Sequence, residues 1–452
     1  MSSTETRNPQ PEEERGQTMS VAEALTMAIA IHREGRYVEA GAIYRQILAA
    51  LPDCADALAF LGVAEHQAGR AAQALEHLDR ALALEPDHVD ALSNRGSVHR
   101  SLRHLDQAES DYRRALELRP DDAVIQDNLG TVLRARGDLE GAVAMYRAVL
   151  ARKPDQASTW QNLASALEAL KRGTEAVEAY REAARLSPQS ASMFFGFGLA
   201  LSMQGHCEEA TEMYRRCLAL APGHPRARHL LAACTGEEAP VRAPDEYVRA
   251  EFDHFADTFD EILANLEYRG PAIVGQAVEE IAHQLPPQAA VLDAGCGTGL
   301  CVPHLRALAG RLVGVDLSAG MVELARKRGG YDELVVDELT AYLRSHARAY
   351  DLVVSADTLV YFGDLTEVIP AAAGSLRPGG FLVVTLERAA PGEAEAGFRL
   401  QPHGRYCHTR SYVSRVWQQA GFVDVVIGEI SSRKEVEEPV PGFVVRGRLA
   451  VT

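Results

Sequence analysis

The chain has 452 residues, 47% hydrophobic and 24% charged, proportions that exclude wholesale disorder and collagen-like structure. Sixty-three acids against 46 bases leave a net charge of −17 at pH 7, a field that repels phosphate backbones and anionic lipid heads, so nucleic acid and membrane surfaces are poor partners. Seven cysteines, an odd number with no C-x-x-C pair, fit neither a disulfide framework nor a zinc ribbon and point to a reducing cytoplasm.

Residues 1–19 are polar, with no basic start followed by an apolar stretch, and read as a disordered tail without a signal peptide. No segment reaches 18 unbroken apolar residues, so no membrane-spanning helix is expected. From residue 20 the chain is periodic. Prolines stand at 52, 86, 120, 154, 188 and 222, each 34 residues after the last. Twelve residues before each lies an alanine (Ala40, Ala74, Ala108, Ala142, Ala176, Ala210), and eight before lies Tyr44, Leu78, Tyr112, Tyr146, Tyr180 or Tyr214. In a helix–turn–helix unit the small residue lets two helices approach, the bulky one fills the space between units, and the proline ends the second helix.

This period resembles the tetratricopeptide repeat and predicts six units over 20–235, with a capping helix near 225–234 closing an α-solenoid. Gly35, Gly69, Gly137 and Gly205 fall at the turn between helices. His104 is read as replacing the glycine in the third unit, and Gly173 as its shifted counterpart in the fifth. Asn94, Asn128 and Asn162 recur at the sixth position of the first helix. They resemble the asparagine ladder of the repeat domain of O-linked N-acetylglucosamine transferase, which implies a polypeptide partner on the repeat groove. Plain solvated asparagines are the competing reading.

A Gly/Glu/Pro/Ala-rich stretch at 236–245 reads as a linker, after which short apolar strands alternate with helices, the pattern of an α/β domain over 246–452. AAVLD (289–293) runs into AGCGTGL, and LVGVD (312–316) follows with Asp316 at its end: strand, glycine loop, helix and a second-strand acid build a nucleotide-type pocket. The acid Asp293 at the start of the loop argues against a dinucleotide fingerprint, whose backbone wraps a pyrophosphate. VLDAGCGTG resembles the first motif of class I S-adenosylmethionine-dependent methyltransferases.

That resemblance implies a Rossmann-like fold with a seven-stranded mixed sheet, its last strand antiparallel. The strands fall at 289–293, 312–316, 333–337, 350–355, 380–386, 423–428 and 442–450. S-adenosylmethionine is the implied cofactor. Gly295, Gly297 and Gly299 would line its methionine side, with Asp293 beside the loop, Asp316 on the ribose and Asp337, or its neighbour Glu338, at the adenine amine. The stretch 246–263, with Phe252, Phe255 and Phe259 at helical spacing, resembles a segment that closes over the cofactor in quinone-pathway methyltransferases, with Phe259 at the seat of a tyrosine. Otherwise it is an amphipathic helix packed on the sheet.

Methyl transfer needs a base only when the acceptor arrives protonated. The segment 398–412 is rich in suitable groups, and His408 is the candidate base, with His403 and Tyr361 behind it. Cys296 and Cys301 read as buried fillers, and no metal is expected. The whole arrangement resembles predicted bacterial methyltransferases with tetratricopeptide repeats. It implies methylation of an O or N acceptor, with the repeats recruiting a polypeptide substrate or carrier. The alternatives are a small-molecule O-methyltransferase whose repeats serve assembly, and a non-enzymatic scaffold that senses the cofactor. Monomer and dimer both remain open.

Overall fold

The computed structural model describes residues 19–435 and 438–451, with only the backbone of His254, Phe255 and Asp257. The tail expected over 1–19 therefore lies, but for Met19, outside the described residues. The chain divides into two compact units, residues 1–186 and 187–452.

The first unit holds five antiparallel helix pairs: Val21–Arg33 with Tyr37–Ala50, Ala55–Gln67 with Ala71–Leu84, Val89–Ser101 with Leu105–Leu118, Ala123–Ala135 with Leu139–Arg152, and Ala157–Ala169 with Gly173–Leu186. Ala40, Ala74, Ala108, Ala142 and Ala176 are fully buried, and Tyr44, Leu78, Tyr112, Tyr146 and Tyr180 are buried beside them. The repeating alanine and aromatic thus build the core, as the period predicts. Gly35, Gly69 and Gly137 take positive φ at the turns. The third and fifth turns correct the sequence reading: the left-handed residue is Arg103 (φ 62°) in one and Lys171 (φ 58°) in the other, not His104 or Gly173. Asn94, Asn128 and Asn162 are half-buried sixth residues of their helices. Asn162 donates one amide hydrogen to Asp127 of the preceding pair, at 3.3 Å.

The second unit begins with the sixth pair, Ala191–Met203 and Cys207–Leu220, then a cap helix, Pro225–Thr235. After the helices Asp245–Phe255 and Phe259–Asn265 comes the sheet: β1 (Ala289–Ala294), β2 (Ala309–Asp316), β3 (Glu333–Val336), β4 (Tyr350–Ser355), β5 (Leu376–Arg388), β6 (Phe398–Leu400), β7 (Tyr406–His408), β8 (Phe422–Glu435) and β9 (Glu438–Leu449). β3, β2, β1, β4 and β5 lie side by side in parallel. β9 runs antiparallel between β5 and β8. The seven expected strands are all present. The addition is the β6–β7 hairpin, which extends the sheet beyond the end of β4.

The parallel strands read as unbroken apolar runs because both faces are covered. Val291 and Leu292, Leu312 and Val313, Leu352 and Val353 each send one side chain to either face, into two separate cores. That burial fixes the carboxyl ends of β1, β2 and β4 in one row, where the loops of the site emerge.

Candidate active site

The loop after β1 needs glycine for two different reasons. Gly295, Gly297 and Gly299 have φ of 79°, 52° and 87°, which L side chains rarely adopt. A Cβ on Gly295 would also lie 2.0 Å from Thr358 Oγ1, whereas one on Gly297 would meet nothing within 4 Å, because that backbone faces open space. Gly299 packs against Tyr331 instead. Two bonds from the loop to the Val315 carbonyl, from Gly295 N (2.8 Å) and Cys296 N (3.0 Å), hold it to β2. Gly297 N donates to Asp316 Oδ2 at 2.9 Å, and Asp316 Oδ1 accepts from Ser318 N at 2.9 Å. Each oxygen keeps a lone pair for a ligand hydroxyl. Burial raises the Asp316 carboxyl above its usual range, opposed by these backbone N–H groups.

Asp293 lies under the loop rather than on the wall. It is fully buried and accepts from the Tyr331 hydroxyl at 2.6 Å, while its Oδ1 has no partner among the described residues. Burial pushes its carboxyl up to about 7. Its part is to support the loop, and the sequence reading that set it among the cofactor contacts is corrected to that extent.

Gly295, Gly297 and Asp316 open on a cavity of about 350 Å³. Asp337 and Glu338 line the same end. Glu338 is committed elsewhere: it caps the helix Leu339–Ser345 through Thr340 N (2.9 Å) and Ala341 N (2.8 Å) and pairs with Arg242. Asp337 accepts only from Glu338 N, at 2.8 Å, among the described residues and is exposed, so of the two neighbouring acids it is the one with a carboxylate to offer. Seven carboxylates and three arginines line the cavity, a balance suited to a ligand with more positive than negative charge.

The lid is built from two Phe-Asp pairs seven residues apart. Phe252 and Phe259 line the cavity, edge to face at 5.8 Å. Asp253 accepts from Ser318 Oγ at 2.5 Å, and Asp260 from Thr298 Oγ1 at 2.6 Å and from Arg328. Each phenylalanine closes the cavity while the adjoining aspartate clips the lid to the loop that follows β1 or β2. The side chain of Phe255 is outside the described residues.

The cavity wall also carries an ion cluster that sequence reasoning missed. Arg433 of β8 binds Asp357 (2.8 Å), Glu435 (2.8 Å) and Glu387, while Arg405 binds Glu387 (2.6 Å) and Glu435 (2.5 Å). The two guanidiniums hold the Glu387 carboxyl down to about 2 despite burial. Asp357 has φ 52°, and its carboxylate is fixed by Thr385 Oγ1 at 2.6 Å. Arg405, Arg433, Asp357 and Glu435 all reach the cavity wall.

The expected bases do not meet there. His408 is fully buried on β7 and is absent from the cavity wall; its Nε2 donates to the Gly363 carbonyl at 3.0 Å, its ring stacks on Tyr412, and burial pushes it down to about 4. It is a neutral core histidine, and the reading of it as a base is corrected. His403 is likewise off the wall, 3.6 Å from Glu387, and burial with the neighbouring Arg405 lowers it to about 4. Tyr361 does line the cavity, but burial raises its phenol, so at neutral pH it is a proton donor and not a base. Tyr268, not singled out in the sequence, presents a second such phenol.

The segment expected as a linker also reaches the site. Ala243 N donates to the Tyr361 carbonyl (2.8 Å), Gly363 N and Asp364 N donate to the Val241 carbonyl (2.9 and 2.8 Å), and Arg242 forms an antiparallel bridge with Phe362. Arg242, Ala243 and Asp245 line the cavity, so this strap is a wall and not a free tether.

Comparison with known proteins agrees with this geometry. Residues 292–384 match the family model of a methyltransferase domain, and residues 32–95, 87–155 and 128–191 match models of the tetratricopeptide repeat. Malonyl-(acyl-carrier protein) O-methyltransferase of Yersinia pestis is 27% identical over 144 residues, which are 32% of this chain and 51% of that protein. Ubiquinone biosynthesis O-methyltransferase of Hydrogenovibrio crunogenus is 29% identical over 147 residues, 29% of this chain and 61% of that protein. The chain thus spans about half to three-fifths of the length of these curated relatives. The solved structure of Pseudomonas aeruginosa pilF aligns with 47% of this chain and 96% of its own at 20% identity and a TM-score of 0.43. The chain carries tetratricopeptide repeats followed by a Rossmann-like methyltransferase domain.

Proposed function

We propose that the protein transfers a methyl group from S-adenosylmethionine to an oxygen or nitrogen acceptor, and that its repeats recruit a polypeptide that is, or carries, that acceptor. The observation that carries this reading is the glycine loop tied through Gly297 N to Asp316 on the wall of a cavity of about 350 Å³. The chemistry such a donor supplies is a methyl group on a positively charged sulfur. Asp316 holds lone pairs toward a ribose, Gly297 lets a ligand approach the backbone, and Asp337 offers an acceptor to an adenine amine. Phe252 and Phe259 keep water out. Tyr268 and Tyr361, whose phenols line the cavity, can orient an acceptor. With the expected bases off the wall or protonated, the rate enhancement falls to alignment and desolvation, which supply about 7–11 kcal/mol in well-oriented reactions.

Isothermal titration with S-adenosylmethionine and S-adenosylhomocysteine tests the cofactor site. Asp316→Ala removes a charged hydrogen-bond partner and should weaken both by roughly a hundredfold, given about 1.5–3 kcal/mol per charged hydrogen bond. A folded wild-type chain that binds neither ligand overturns the reading. The small-molecule alternative is favoured by the aromatic wall of Phe252, Phe259, Tyr268, Tyr361 and Phe362; a panel of phenols and carboxylic acids methylated as well as peptides would establish it.

A further inference from the structure

The cap helix closes the repeats, yet two of its side chains grip the walls of the cavity. His229, 2% exposed, lies face to face with Tyr247 at 3.9 Å between ring centroids, and its Nε2 donates to the Gly404 carbonyl at 2.9 Å. Arg226, one turn earlier, pairs with Glu251 at 2.6 Å. Tyr247 and Glu251 belong to the lid helix Asp245–Phe255, whose Val248, Glu251 and Phe252 line the cavity. Gly404 sits at the tip of the β6–β7 hairpin, immediately before the cavity residue Arg405.

The fit at this junction is close. A Cβ on Gly404, at φ 88°, would lie 2.5 Å from the Tyr247 hydroxyl and 3.1 Å from Leu230 of the cap helix. Ala233, Ala243, Tyr247, Leu400 and Tyr406 form one buried cluster around it. Burial lowers the His229 imidazole, which keeps it neutral and its Nε2–H available to the carbonyl.

We infer that His229 and Arg226 are positioning residues for the methyl-transfer site: the cap helix fixes the lid helix and the hairpin tip against each other, and so sets the distance between Phe252 and Arg405 across the cavity. This inference rests on the cofactor reading above. The cap helix therefore acts on the reaction through the lid, and a partner that displaces it releases cofactor.

The test uses the full chain. Amide hydrogen exchange over 246–263 and 399–407 and S-adenosylhomocysteine affinity are measured for wild type, Arg226→Gln, His229→Ala, His229→Gln and, as a control, Tyr214→Phe, which loses the 3.0 Å contact with Ser202 in the sixth pair and touches no cavity wall. His229→Ala and Arg226→Gln should each speed exchange in both segments about tenfold and weaken S-adenosylhomocysteine five- to tenfold. His229→Gln, which keeps an N–H at the same reach, should restore at least half of the loss. Tyr214→Phe should lower the melting temperature without moving either readout. If His229→Ala fails to fold, Arg226→Gln, on a half-buried pair, carries the test alone. Unchanged exchange and affinity in the folded variants, with wild type binding normally, overturn the inference; failure of wild type to bind overturns the cofactor reading instead.

Discussion

At the scale of single residues, His408 shows how burial decides chemistry. Its donor to Gly363 and its place against Tyr412 make it a packing residue. His408→Ala should cost about 2–4 kcal/mol of stability, as large-to-small core changes do, while leaving S-adenosylhomocysteine affinity within about threefold. A general base would behave the opposite way, losing on the order of a hundredfold in turnover with stability kept. The pH dependence has a definite sign. A histidine whose folded value is depressed binds its proton more readily when unfolded, so stability is full above the unfolded value near 6.5 and declines as pH falls toward the folded value of about 4. The decline from this one group approaches about 3 kcal/mol at pH 4. His408→Gln, which cannot titrate there, should remove that loss, read as a shallower fall in melting temperature between pH 6.5 and 4. At the glycine loop, Gly295→Ala meets both positive φ and Thr358, and should abolish cofactor binding in titration calorimetry.

At the scale of elements, the repeats invite a stabilising change. Arg103 occupies a left-handed turn that three other pairs of the chain's first unit give to Gly35, Gly69 and Gly137. Left-handed backbone costs an L side chain about 1–2 kcal/mol, and glycine gives part of this back in unfolded-state entropy. Arg103→Gly should therefore raise stability by about 0.5–1 kcal/mol, read as a higher urea midpoint. The 34-residue period, the glycine loop and the strand-terminal acids were legible because each is a local constraint repeated or forced by backbone geometry. The two Phe-Asp pairs were half legible: the phenylalanines stood out, but the clips made by Asp253 and Asp260 need residues at 318, 298 and 328. The ion cluster was not legible at all. Asp357, Glu387, Arg405, Arg433 and Glu435 come from four separate stretches of the chain, and only the fold brings them together.

At the scale of the whole molecule, the division at residue 186 leaves every cavity residue in the second unit. Removing residues 1–186 should keep S-adenosylhomocysteine affinity within about twofold while abolishing methylation of a polypeptide acceptor recruited by the repeats. A cut at 235 is not an equivalent experiment, because it takes away the helix that holds Tyr247, Glu251 and Gly404. No helix among the described residues is long and apolar enough to cross a membrane.

The strap and cap also bear on the order in which the protein is made. The buried cluster that holds Ala233 and Tyr247 is completed by Leu400 and Tyr406, more than 150 positions later in the sequence. At roughly 5–20 residues per second a ribosome takes on the order of ten to thirty seconds to deliver them. The chain to residue 186 is finished long before then, whereas the cluster at the cap waits for its last two members. Nascent chains stalled between residues 250 and 390 should be the ones that chaperones retain, and folding of the last repeat should be scheduled by the arrival of the hairpin and not by its own synthesis.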